Sequence, residues 1–268
     1  MGAVKAGVSI VTFDEKDSID ALSHTLKDSG AKGVMFSPQT VISQEKNGQQ
    51  VNRQTFLQKL MPELQSLYPG DELQLKNYPY LKQIVQLGHA SIRGVIKFKD
   101  AMVYANPSLS TIEIPENSTG DLAFEVYQGG RKTASYTNGD IARHAQQLWD
   151  SHFVNASHEE HPVYMSLNLE TPLALASFIA NNANLRKVYI PASFNVNKII
   201  ESMKTQHSEV AMVDHELFAL EPPKEKVHEY EECTKTVSKV IVAVSKGQSA
   251  GRSLLLKGDV TPLDPYHL

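Results

Sequence analysis

The chain has 268 residues, a formal net charge of −4 and 41% apolar residues, enough for one large domain or two small ones. That charge balance leaves no basic footprint for nucleic acid. A single cysteine, Cys233, excludes an intrachain disulfide and a cysteine-based zinc site, and it fits a reducing compartment. The apolar start, residues 1–13, is too short and glycine-broken for a membrane helix, and no small-residue cleavage site follows it.

Short β-like runs alternate with amphipathic helical patterns. Residues 7–13 (GVSIVTF) read as a strand, followed by a helix capped by Asp17 or Ser18. Ile19, Leu22 and Leu26 share one face of that helix, and Gly30 stops it. Residues 32–37 form the next strand. Residues 39–55 are polar and read as loop; residues 56–67 read as a helix with Pro62 at an early or kinked position. Residues 81–88 read as a strand and 98–105 as a short helix. The Pro/Ser/Asn-rich stretch 106–120 is a linker, dividing subdomains at 1–117 and 118–268.

A second alternating series follows. Residues 121–127 are a strand that runs into the loop QGGRKTASYT, and a helix begins near residues 138–140 with Ile141, Ala145, Leu148 and Trp149 on its face. Strands are expected at 162–167, 187–191, 209–214 and 239–245, with helices at 171–182 and 195–206 and a charged helical stretch at 224–232. The tail, 257–268, carries two prolines and reads as extended. Strands separated by helices of this length imply an α/β fold of two loosely similar subdomains, with largely parallel sheets flanked by helices.

The loop after the 121–127 strand has the chemistry of a phosphate site: Gly129 and Gly130 adjacent, then Arg131 and Lys132, then hydroxyl side chains. The plainer reading is an exposed turn between strand and helix.

Residues 2–38 closely resemble a segment of the adenylate-forming (AMP-binding) enzymes, especially the acyl-CoA synthetases. Lys5, Gly7 and the run Asp28–Ser29–Gly30–Ala31–Lys32 carry the likeness. Residues 80–88 (YLKQIVQLG), 120–127 (GDLAFEVY), 188–203 (VYIPASFNVNKIIESM) and 239–255 (KVIVAVSKGQSAGRSLL) follow in the family's order. The resemblance implies a fragment of the large N-terminal domain of an acyl-CoA synthetase.

It also implies a degenerate site. The family's phosphate loop reads Thr-Ser-Gly-Thr-Thr-Gly and then Pro-Lys-Gly. Here Gly130 stands at its first glycine, Arg131 and Lys132 at its threonines and Thr133 at its second glycine; the Pro-Lys-Gly step is absent. The loop is about four residues shorter by spacing. The family's adenine-contacting segment, ribose-binding aspartate and C-terminal catalytic domain lie beyond the last matched region, in enzymes about twice this length. On this reading Gly129, Gly130, Arg131 and Lys132 are a relic, with no catalytic residue, cofactor or metal expected.

Other clusters have plain readings. His158-Glu159-Glu160-His161 has its histidines three apart and Pro162 directly after them, which fits a solvated loop better than a zinc helix. Asp214-His215-Glu216 reads as a helix start. Residues 245–252 (SKGQSAGR) lack a phosphate-loop ending, and Cys233 has no activating partner in the sequence.

The expectation is a non-catalytic, acyl-CoA synthetase-like structural or accessory subunit. Other protein subunits would cover faces exposed by truncation, and a mitochondrial complex would be the host. The alternative is a residual ATP-dependent acid–thiol ligase or an acyl- or CoA-binding protein.

Overall fold

A computed structural model describes residues 6–13, 17–38, 41–44, 50–89, 91–103, 116, 118–154, 162–168, 171–191, 196–219, 221, 224–244, 249–250, 253, 256 and 258–266. The expected 106–120 linker is largely outside these residues, as are residues 158–161 and most of 245–252. The chain divides into two compact units, one of Lys5–Glu116 with Glu125–Ser135, the other built from Asn117–Phe124 and Tyr136–Leu268.

The first unit opens with β1 (Ile10–Phe13), α1 (Ile19–Ser29) and β2 (Gly33–Phe36). The Ser18 side chain accepts the Ala21 N–H, and Gly30 ends α1 in the left-handed region at φ 60°. The polar stretch read as loop contains an antiparallel pair, β3 (Val41–Gln44) and β4 (Gln50–Asn52). Helix α2 (Arg53–Leu60) starts earlier than expected and stops before Pro62, which opens a separate 3₁₀ turn, Pro62–Ser66. Proline has no N–H to continue the helical ladder, so the expected single helix is two elements.

β5 (Gln83–Gln86) pairs in parallel with β2, and β6 (Ile96–Lys97), too short to show a period in sequence, pairs in parallel with β5. Helix α3 (Phe98–Val103) follows. The core of this unit gathers Leu22 and Leu26 of α1 with Phe36, Ile84, Leu81 and Met61.

β7 (Leu122–Gln128) and β8 (Arg131–Thr137) are joined by only Gly129–Gly130, and with β1 they form a three-stranded sheet in the order β1-β7-β8. This corrects the expected loop: residues 131–137 are a strand. Neighbouring strands joined by two residues must run antiparallel. In β8 only Tyr136 is buried, so the strand has little apolar signature.

The second unit contains α4 (Asn138–Leu148), β9 (Val163–Ser166), α5 (Pro172–Ala183), β10 (Val188–Tyr189), α6 (Val196–Gln206), β11 (Val210–Asp214), α7 (His215–Phe218), α8 (Val227–Thr234), β12 (Lys239–Ala243) and β13 (Asp259–Leu263). Thr137 and Asp140 close a reciprocal capping box at the start of α4. The sheet order is β10-β9-β11-β12-β13, every pair parallel. Within the tail expected to be extended, Asp259–Leu263 is thus a sheet strand.

Alternate residues of the central strands enter opposite cores, because side chains alternate along a strand. Met165, Met212 and Ile241 pack with Ala145 and Leu148 of α4 and Leu173 of α5. Tyr164, Val213 and Val242 pack with Met203 of α6 and Tyr230 and Cys233 of α8. Burial on both faces explains the unbroken apolar run of β12.

Candidate functional site

The expected phosphate residues lie at the tip of the β7–β8 hairpin. Gly129 and Gly130 have φ 58° and 78°, the pair of positive values that a tight hairpin turn requires. A Cβ on Gly129 would meet open space; one on Gly130 would lie 2.9 Å from the Ala21 carbonyl oxygen and 3.0 Å from the Ala21 Cα. The turn therefore rests directly on the backbone of α1.

Two of the groups that would hold phosphate, the Gly129 N–H and the Lys132 ammonium, are engaged within the protein. The Gly129 N–H donates to Asp17 Oδ1 at 3.0 Å, and Lys132 Nζ donates to Glu125 Oε1 at 2.6 Å. Glu125 is buried in β7, and its carboxylate raises the affinity of Lys132 for its proton. Across a two-residue turn, residue 132 faces residue 127, so Glu125 is its diagonal neighbour on the same sheet face. The Thr133 hydroxyl donates to the Val126 carbonyl at 3.2 Å.

Tyr127 donates to Asp28 Oδ2 at 2.7 Å, and burial first, then that carboxylate, pushes its phenol far up. Arg131 is exposed. An incoming phosphate would thus meet Asp17, Asp28 and Glu125 around a turn whose two cations are Arg131 and Lys132. Tyr127→Phe should lower stability by about 1 kcal/mol in urea denaturation, through loss of the hydrogen bond to Asp28.

Sequence reasoning did not find Asp17, Asp28, Glu125 or Tyr127 as partners of this turn. The Gly129–Gly130 pair signals a hairpin, and once the hairpin is drawn, the 125–132 diagonal follows from it. The Asp17 and Asp28 contacts join residues about a hundred positions apart and carry no local signal.

The second unit places Asp214 at the carboxyl end of β11, immediately before α7, as the helix-start reading expects. Its side chain makes no capping hydrogen bond. Burial pushes its carboxyl from the ordinary 3.8 up to about 6, opposed by a hydrogen bond from the Asn168 backbone and reinforced by Glu216. A carboxyl raised on folding holds its proton more tightly in the native state. Stability should therefore be greatest below pH 4 with respect to this group and fall by about 2 kcal/mol as pH rises from 4 through 6. Chemical denaturation at several pH values checks this; Asp214→Asn should flatten that part of the profile.

Cys233 is buried, and burial pushes its thiol up, as for an unreactive cysteine. Among the described residues no group of three His, Cys, Asp or Glu side chains could hold a metal ion, and no helix is long and apolar enough to cross a membrane.

No family model matches the chain, and no curated protein matches it in sequence. Solved structures do. The O-succinylbenzoate coenzyme A synthetase of Bacillus subtilis, in complex with AMP, aligns over 91% of this chain and 40% of its own, with a TM-score of 0.58 and 15% identity. The anthranilate CoA ligase AuaEII, in complex with anthranoyl-AMP, aligns over 97% of this chain and 45% of its own, with a TM-score of 0.60 and 15% identity. The fold is that of the adenylate-forming enzymes. An amide bond synthetase from Marinactinospora thermotolerans agrees, covering 91% of this chain and 42% of its own at a TM-score of 0.59 and 11% identity. The α/β architecture with parallel sheets flanked by helices matches the N-terminal domain of adenylate-forming enzymes. At these identities the likeness is one of fold, and the chain spans less than half the length of each of these neighbours.

Proposed function

We propose that this acyl-CoA synthetase-like protein is non-catalytic and serves as a structural or accessory subunit of a larger protein assembly. One observation carries the loss of catalysis. The segment that resembles the family's phosphate loop is a two-residue hairpin turn, with the Gly129 N–H and the Lys132 ammonium held by Asp17 and Glu125. A phosphate cradle needs several free N–H groups curved around one point, and a tight turn seated on α1 does not offer that curvature.

The subunit role is supported by apolar side chains on the surface of the first unit. Val8, Met35, Leu87, Met102 and Val103 are each more than half exposed. Large apolar groups left in water favour a protein cover. A mitochondrial complex is the proposed host, by analogy with retired metabolic enzymes retained in such assemblies.

Native purification of the tagged chain, with size-exclusion chromatography and mass spectrometry of what elutes with it, tests the role. The expected result is a fixed set of partner subunits at constant stoichiometry in a mitochondrial fraction. Recovery of the chain only as a monodisperse monomer would contradict it.

A further inference from the structure

β1 and β2 are consecutive strands joined through α1, yet they belong to different sheets. β1 is the outer strand of β1-β7-β8, and β2 is the outer strand of β2-β5-β6. A groove of about 440 Å³ is lined by Val11 of β1 and Met35 of β2, by Val8 and Lys32 just before those strands, and by Thr25 and Leu26 of α1. All of these residues lie in the first unit.

Among the described residues no strand pairs with the side of β2 turned away from β5. The Lys32 and Phe36 carbonyls accept from the Lys82, Gln83 and Leu87 N–H groups on the β5 side. Backbone groups of alternate residues point to opposite sides of a strand, so the N–H and C=O of Gly33 and Met35 point the other way. Natural edge strands are ordinarily protected by charge, proline, a bulge or a cover. This one carries Met35 at 57% exposure, near Val8 at 55%.

The groove also has a charge preference. Among the described residues Lys32 is the one charged side chain lining the groove; it is exposed, and it makes no ion pair among those residues. We infer that the groove between β1 and β2 receives an extended segment of a partner protein by strand addition, with apolar side chains against Val8 and Met35 and a carboxylate against Lys32. An extended segment supplies backbone donors and acceptors that can pair with Gly33 and Met35, and its side chains give specificity. A helix would leave those backbone groups unpaired. The inference rests on the subunit reading and names the surface it uses.

The test uses the native complex. Hydrogen exchange at Gly33 and Met35 should slow at least about tenfold in the complex relative to the free chain. Met35→Pro removes one outward N–H while sparing the β2–β5 hydrogen bonds, because proline is tolerated on a strand edge. Lys32→Glu reverses the charge and leaves the backbone intact. Each should lower retention of the same partner subunit about tenfold, with Tyr80→Ala as an exposed control in the same unit that changes nothing. If Met35→Pro fails to fold, Lys32→Glu and the exchange measurement still decide. A complex that assembles with Gly33 and Met35 unprotected, or that survives both substitutions, overturns the groove assignment and leaves the subunit reading standing. A homodimer protected at the groove overturns the partner assignment. A chain that is always monomeric overturns both readings.

Discussion

Gly130→Val should lower the stability of the chain by about 3 kcal/mol, measured by urea denaturation. Two effects add. The backbone at φ 78° disfavours any L side chain, and the new Cβ would press on Ala21, whose backbone oxygen and Cα lie within 3.0 Å. Neither neighbour is the end of a flexible side chain, so α1 or the hairpin has to move. Gly129→Val is the control. It has a similar φ of 58° but open space around its Cβ, so it should lose only about 1 kcal/mol. Equal losses at the two positions would mean that the turn does not rest on α1.

Ile241→Ala should be comparably severe, at about 3 kcal/mol. Ile241 lies in β12, between β11 and β13, and is fully buried against Met165, Met212 and Leu173. Neighbours on both sides of the strand and on the helical layer limit collapse into the cavity left behind. Val260→Ala, in the edge strand β13 at 39% exposure, should change stability by well under 1 kcal/mol. The contrast separates a packed central strand from one that closes the sheet by backbone pairing.

The parallel β/α pattern of the second unit was legible because its strands carry dense apolar runs. The 163–166, 210–214 and 239–243 strands all stand inside expected segments. The Gly30 stop was equally readable, and the cap was narrowed to Asp17 or Ser18, of which Ser18 is the one used, since capping chemistry is local. β3, β4 and β8 were not, because they are polar and their pairing is set by partners rather than by an apolar period. At the candidate site the residue types were visible but their use was not. Gly129 and Lys132 attract attention as phosphate binders, while Asp17 and Glu125 reach them, and Asp28 reaches the neighbouring Tyr127, through the packing of β7, β8 and α1.

That arrangement sets the most direct test of the central claim. Thermal denaturation of the purified chain is followed with and without millimolar MgATP, and binding is measured in parallel by calorimetry. A hairpin with the Gly129 N–H and the Lys132 ammonium already engaged predicts an unchanged Tm and no saturable heat. Saturable binding, with stabilisation rising as ligand exceeds its Kd to about 2.7 kcal/mol at a hundredfold excess, would contradict the non-catalytic reading.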